Sequence, residues 1–388
     1  DDFFDSTDSF FLKSMQSDEA GNRLIANPES NGKFHSDWLS FIYPRIRLAR
    51  NLLIDNGVIF ISIDDRELSN LIKICNEIFG EENFVATFAW EKRTNRENRK
   101  VVSSRHDYIV CYTKSRTPGV RQLLQLPMSK EALAQYKNPD NDPRGPWKSD
   151  PATAQAGHGT KDQFYVLEAP NGRKHELESG RCWVYTKPVM EKAIKEGRIW
   201  FGRDGNGVPR IKTYLHEKER GLTPETILFA KDAGTNESSK NELKDLFGGK
   251  AVFETPKPVK LLRLLIQMSL PEGIALDFFA GSSTLAHAIM EQSAEDGRLR
   301  RCISVQIDER TPEDSEARRA GYETVADIAI DRIRRAGSKI VAGECHPDWN
   351  RDIGLRVFKV DTSNMKDIYY RPDELEQGDL LDLVDNIK

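Results

Sequence analysis

The segment Ile274-Ala275-Leu276-Asp277-Phe278-Phe279-Ala280-Gly281-Ser282-Ser283-Thr284 constrains this chain more than any other. An apolar run ends in an aspartate, two aromatics and a turn of small residues. Leu285-Ala286-His287-Ala288-Ile289-Met290 follows without glycine or proline, so it opens as a helix. A strand, a tight turn and a helix bring backbone close to a nucleotide-like ligand. Small turn residues allow that approach, and the first N–H groups of the helix face an anion. The same pattern also serves as an ordinary βα turn, and these residues alone leave both readings open.

Two details narrow the ligand. A dinucleotide fingerprint requires G-x-G-x-x-G, and only Gly281 is present, so a pyrophosphate cradle is poorly supported. A second strand, Cys302-Ile303-Ser304-Val305-Gln306-Ile307, ends in Asp308-Glu309, where an acidic side chain accepts hydrogen bonds from ribose hydroxyls. An adenosine site without a phosphate cradle fits S-adenosylmethionine better than NAD.

Chain length allows two or three domains: 388 residues, 38% hydrophobic and 30% charged, describe an ordinary globular protein. No apolar run approaches a membrane span and no signal-peptide pattern opens the chain. Five cysteines (Cys75, Cys111, Cys182, Cys302, Cys345) lack CxxC spacing, which argues for a reducing cytoplasm and against structural zinc. Cys345-His346 is too sparse for a metal site. The net charge of −4 suits a DNA binder poorly, but it is unevenly placed. Residues 361–388 carry −5, and Glu91–Gln122 holds nine Lys/Arg against three Asp/Glu.

Along the chain, Asp1 to about Lys33 has no sustained period, and its abrupt Asp-Asp-Phe-Phe start is expected of a piece of a longer protein. Trp38, Phe41, Ile42, Leu48, Ala49, Leu52 and Leu53 form a helical stripe broken by Arg45, with Pro44 starting or kinking the helix. A buried-type strand at Val58–Ile63, a helix over 67–79 and a strand at 84–90 read as half of a doubly wound sheet. The basic stretch Lys92, Arg93, Arg96, Arg99, Lys100 precedes the strand Tyr108–Tyr112; it is either a solvated loop or one that tracks phosphates. From about Arg116 to Asn241, frequent Pro and Gly with short β-like pieces mark an inserted, irregular domain. The sheet pattern returns near Lys250 with a helix over 259–269. A further helix, 320–340, carries Arg332, Arg334, Arg335 and Lys339 as a solvated face. Leu355–Val360 reads as a last strand, and the acidic tail 373–385 as a partner-docking helix. No internal repeat stands out.

D-F-F-A-G-S-S-T at 277–284 resembles the cofactor motif D-x-F-x-G-S-G-T of amino-methylating DNA methyltransferases, with Ser283 in place of the second glycine. Thr255-Pro256-Lys257-Pro258-Val259-Lys260-Leu261-Leu262 resembles the T-P-K-P-x-x-L-L upstream of that motif in one subfamily, the modification (Mod) subunits of type III restriction–modification systems. K-R-T…R-H-D-Y-I-V-C-Y resembles family blocks near the DNA, and V-F-K-V-D a block near the end.

The resemblance implies an α/β, Rossmann-like S-adenosylmethionine-dependent methyltransferase fold, permuted so that the cofactor motif is C-terminal, with an inserted irregular α+β target-recognition domain. Its parts would be 1–115 (first methyltransferase half), 116–245 (target recognition), 246–345 (cofactor half) and 346–388 (C-terminal segment). It implies transfer of methyl to adenine N6 of a flipped base in double-stranded DNA. It also implies a cytoplasmic homodimer, a helicase–nuclease partner subunit and no metal. Phe279 would line the cofactor pocket, Gly281 allow close approach, Asp277 orient the turn, Thr284 start the helix, and Asp308 accept from the ribose. Lys257 and Pro258 would close the cofactor side, with Ser283 in the same turn. DNA contacts would fall to Lys92, Arg93, Arg96, Arg99 and Lys100, and in the insert to Arg144 and Lys148; Trp147, Arg203 and Arg210 are further candidates. The family's Asp-Pro-Pro-Tyr tetrapeptide is absent, since no Pro-Pro occurs in the sequence. No catalytic residue is therefore assigned, and the chain as given is not expected to methylate unaided. Two other readings remain: a non-catalytic DNA-binding and assembly subunit with a decayed cofactor pocket, and an RNA methyltransferase.

Overall fold

The computed structural model describes residues 34–97, 101–217 and 221–360. The N-terminal stretch up to Lys33, Arg99, Lys100 and the acidic tail lie outside the described residues. Helix α1 (Phe34–Leu52) runs unbroken through Pro44. It packs with α2 (Leu68–Phe79) on strand β1 (Val58–Ile63) and its neighbours, burying Trp38, Ile42, Ile46, Leu71, Cys75 and Phe79. The buried stripe is rotated from the expected one. Leu48 and Leu52 are exposed, while Ile46 is buried. Arg45 avoids the interior by folding its guanidinium over the Phe41 ring, 3.6 Å from the centroid.

Strands β2 (Phe84–Glu91) and β3 (His106–Thr113) are joined by the basic loop, and β3 lies antiparallel between β1 and β2. A loop connection without a crossover helix forces that reversal, so this half is a mixed sheet, not an all-parallel one. The inserted unit follows. Its strands are β4 (Trp147–Pro151), β5 (Thr153–Gln155), β6 (Leu167–Glu168), β7 (Lys174–His175) and β8 (Arg181–Trp183). Helix α3 (Lys187–Lys195), β9 (Ile199–Trp200) and β10 (Arg210–Tyr214) complete it. These form one three-stranded and two two-stranded sheets around Trp183, Met190, Ile199 and Phe201.

By β11 (Ile227–Leu228), parallel to β2, the chain is back on the main sheet. Helix α4 (Asn236–Leu246) then packs through Leu243 with Phe247, Val252 and Ile328. Helix α5 (Val259–Ser269) matches its expected bounds and buries Leu261 and Leu265 against Phe88 and Trp90. Its other side meets Ala288 and Ile289 of α6 (Thr284–Asp296). Strand β12 (Gly273–Asp277) pairs in parallel with β13 (Arg300–Ser304), the arrangement a βαβ unit requires. The last long helix, α7 (Val325–Val341), lies on α6 through Ile333 and Ala336. The expected strand at 355–360 is not a strand. Val357, Phe358 and Val360 are exposed and carry no ladder pairing among the described residues.

A candidate cofactor site at the 277–284 turn

Strand β12 ends at Asp277, whose Oδ1 accepts the Phe279 backbone N–H at 3.1 Å. That bond turns the chain at once, as an Asx turn does. Burial pushes the Asp277 carboxyl above the usual carboxylate range, against the lowering effect of the Phe279 N–H. Two residues then adopt left-handed backbone, Gly281 (φ +52°) and Ser283 (φ +57°). Glycine meets that geometry without strain; a serine there costs about 1–2 kcal/mol. Ser283 thus occupies the conformation that a second glycine would favour. Its Oγ is buried and has no hydrogen-bond partner among the described residues. Phe279 is half exposed at the mouth of the turn, its ring 6.0 Å from Phe41 and 5.1 Å from Phe278.

The residues just after β13 hold the turn, through Val305 and Gln306. Ala280 N–H donates to the Val305 carbonyl at 3.1 Å, and Gly281 N–H to Gln306 Oε1 at 2.7 Å. Gln306 was not singled out by the sequence, and Asp308 was. The structure places Asp308 in the solvent past the end of β13, with Lys359 as an ion-pair partner at 3.8 Å. The paired strand closes at Ser304, so side chains beyond it follow the loop and not the sheet pleat.

Arg332 is a correction of larger consequence. Expected on a solvated face, it is fully buried. Its Nη1 donates to Ser282 Oγ and to Thr284 Oγ1, both at 2.7 Å. Burial pulls its pKa down to about 10, and Glu242 and Glu291 act in the opposite sense. The helical spacing was legible: Ile328, Ala329, Arg332, Ile333 and Ala336 share one buried face.

Lys257 and Pro258 lie at the start of α5. Lys257 Nζ lies 5.4 Å from the Trp90 ring centroid, and burial lowers its pKa. Trp90 Nε1 in turn donates to the Gly234 carbonyl at 2.9 Å. The T-P-K-P segment therefore meets the end of β2 through Lys257 and Trp90.

The expected DNA-contacting residues divide. Lys92 is half-buried and ion-paired with Asp107. Arg93 is exposed, 3.3 Å from Glu97, and Arg96 is exposed. In the insert, Arg144 is held by Asp142 at 2.7 Å and lies 4.6 Å over the Tyr214 ring, which makes it a structural pin. Lys148 pairs with Asp150 at 3.2 Å on the surface. Trp147 is buried, and Arg210 is tied to Ser149, while Arg203 is exposed. Of these contacts, Arg210 to Ser149 and Arg144 to Tyr214 join separate elements, and sequence spacing does not reveal them.

The chain is 37% identical over 350 residues to the type III restriction-modification enzyme StyLTI Mod subunit of Salmonella typhimurium, covering 89% of this chain and 51% of that protein. It is 30% identical over 383 residues to the EcoP15I Mod subunit of Escherichia coli, covering 90% and 56%. The chain thus spans about half the length of these relatives. A solved M1.HpyAVI–SAM complex overlaps 84% of this chain and 93% of its own at 13% identity and a TM-score of 0.33, too loose for any position to be carried across. Residues 17–316 match the N6_N4_Mtase family model, described as DNA methylase. With that match over most of its length, this chain belongs to the N6_N4_Mtase family of DNA methylases.

Proposed function

We propose that this chain holds the cofactor and reads the target in an S-adenosylmethionine-dependent DNA methyltransferase. That enzyme would be the modification subunit of a type III restriction–modification system, acting on adenine N6. The observation that carries the reading is the 277–284 turn, with its left-handed glycine and half-exposed Phe279, in a chain of the DNA methylase family. The residues fit such a cofactor. A bare backbone at Gly281 admits close approach, an aromatic face at Phe279 suits an adenine or a sulfonium, and the N-terminus of α6 suits a carboxylate. When bound, S-adenosylmethionine supplies a methyl group on an electrophilic sulfur.

The protein contributes orientation. Asp277 sets the bend, Gln306 tethers Gly281, and Lys257 at the start of α5 meets Trp90 of β2. We read 1–115 and 246–345 as the two methyltransferase halves, 116–245 as containing the target-recognition unit, and 346–388 as a docking segment. Double-stranded DNA, a second Mod copy and a helicase–nuclease subunit are the partners in this reading. Among the described residues no helix is long and apolar enough to cross a membrane.

The test is transfer of tritiated methyl from S-adenosylmethionine by the full-length protein to duplex DNA and to RNA, with the product base identified by mass spectrometry. Label in N6-methyladenine of duplex DNA is expected. Label in N4-methylcytosine or in RNA would overturn the substrate. Duplex binding without S-adenosylmethionine binding would favour an assembly subunit. Replacing Arg93 and Arg96 with glutamine should reduce the salt slope of duplex binding by about 2 if each meets a phosphate. An unchanged slope returns the loop to a solvated surface.

A further inference from the structure

Helix α6 has a buried arginine at each end, and the two are held differently. At the C-terminal end, Arg300 donates to both oxygens of Asp296, at 2.8 and 2.7 Å. A cation there suits the helix dipole, and a forked carboxylate neutralises it. At the N-terminal end, Arg332 meets two neutral hydroxyls, those of Ser282 and Thr284. Its Nε and Nη2 have no hydrogen-bond partner among the described residues. A cation at a helix N-terminus opposes the dipole. Helix stability therefore accounts for Arg300 and leaves Arg332 unexplained.

The two hydroxyls flank Ser283, the strained left-handed residue, and all three side chains are buried. One Nη1 thus ties the backbone on both sides of the bend to α7, whose Ile333 and Ala336 are packed on Ala286 and Met290 of α6. We infer that Arg332 is a positioning residue: its guanidinium holds Ser282 and Thr284 in register across Ser283 and so shapes the turn on which S-adenosylmethionine docks. This rests on the cofactor reading given above. The guanidinium touches no ligand; it acts through the turn. The fork geometry matters as well as the charge, because a single lysine ammonium on a flexible stem does not fix two acceptors as a planar group does.

The experiment uses the full-length protein and four variants: Arg332→Met, Arg332→Lys, Ser282→Ala and Thr284→Val. Binding of S-adenosylmethionine and S-adenosylhomocysteine is measured by calorimetry, duplex DNA binding by anisotropy, and amide exchange over 280–285 by mass spectrometry. Both Arg332 variants should weaken cofactor binding by about tenfold or more, as loss of charge-assisted hydrogen bonds does. KM for the cofactor should rise with little change in kcat, DNA affinity should hold, and exchange over the turn should quicken without cofactor. Each hydroxyl variant should show a smaller loss in the same direction. Cofactor affinity unchanged in Arg332→Met and Thr284→Val would overturn the inference, as would an Arg332→Lys protein equal to the wild type. So would a parallel loss of DNA and cofactor binding in all four, which marks a folding role. A wild-type protein that takes up no S-adenosylmethionine would overturn the cofactor reading itself and the inference with it.

Discussion

Lys212 in the inserted unit and Arg332 in α7 are both buried cations, and their surroundings differ in kind. Lys212 is paired with Asp140 and, at 3.0 Å, with Asp142, and it sits 5.2 Å from the Trp147 ring. Asp142 also accepts from Arg144 and from the Tyr214 hydroxyl, each at 2.7 Å. Hydrogen bonds from Arg144, Tyr214 and Lys212 hold its carboxyl well below the usual carboxylate range against its burial. This network neutralises its own charges. Arg332 has only hydroxyl acceptors. A closed network of carboxylates and cations ties strand β10 to the loop before β4. The open one beneath the strained turn holds that turn by two hydrogen bonds to neutral hydroxyls.

The largest expected effect breaks the closed network. Asp142→Asn leaves Lys212 and Arg144 without their shared carboxylate and should destabilise the insert by about 3–5 kcal/mol. Urea unfolding followed by the fluorescence of Trp147 and Trp200 reads the loss, while calorimetry should show S-adenosylmethionine binding intact. Equal losses of both would join the two regions into one cooperative unit. The pH dependence has a fixed sign. The folded pKa of Asp142 lies below its unfolded value of about 3.9, so its contribution is complete above that pH and is lost as pH falls towards the folded value. The stability gap between wild type and Asp142→Asn should therefore narrow only below about pH 4. Asp277 runs the other way. Its raised pKa means that ionisation weakens the fold as pH rises through that region.

Next in size is Gly281→Val. A β-branched residue at φ +52° strains the bend, and its side chain faces Phe253. Cofactor binding should fall by about a hundredfold, roughly 2.8 kcal/mol, with the insert's urea transition unmoved. Unchanged binding would remove the turn from the site. The smallest effect is Ser283→Gly, which relieves the left-handed backbone and removes a buried, unpartnered hydroxyl. It should raise stability by up to about 1 kcal/mol, read as a higher thermal midpoint. A lower midpoint would show that the serine hydroxyl contributes an interaction that its unpartnered position does not suggest.

Much of the site was legible before any fold was known. Asp277, Gly281 and Thr284 take the strand-end, turn and helix-start positions that their residue types imply. Helix α5 was readable from its apolar spacing. Arg332 was misplaced because a run of basic residues was weighed by composition and not by helical phase. Asp308 lies exposed past the end of β13, and where that strand ends depends on what it pairs with. Leu355–Val360 alternates like a strand, yet alternation does not supply a neighbour with free N–H and C=O groups.

The sequence by itself determined the local chain: a strand, an Asx bend, a glycine turn and a helix, each set by short-range sterics and hydrogen bonds within a few residues. Tertiary structure decided where the charges went. Arg332 reaches Ser282 across 50 residues, and Lys212 reaches Asp142 across 70. No local pattern encodes such a pairing, because the energy of a buried charge depends on which acceptor the packing brings to it.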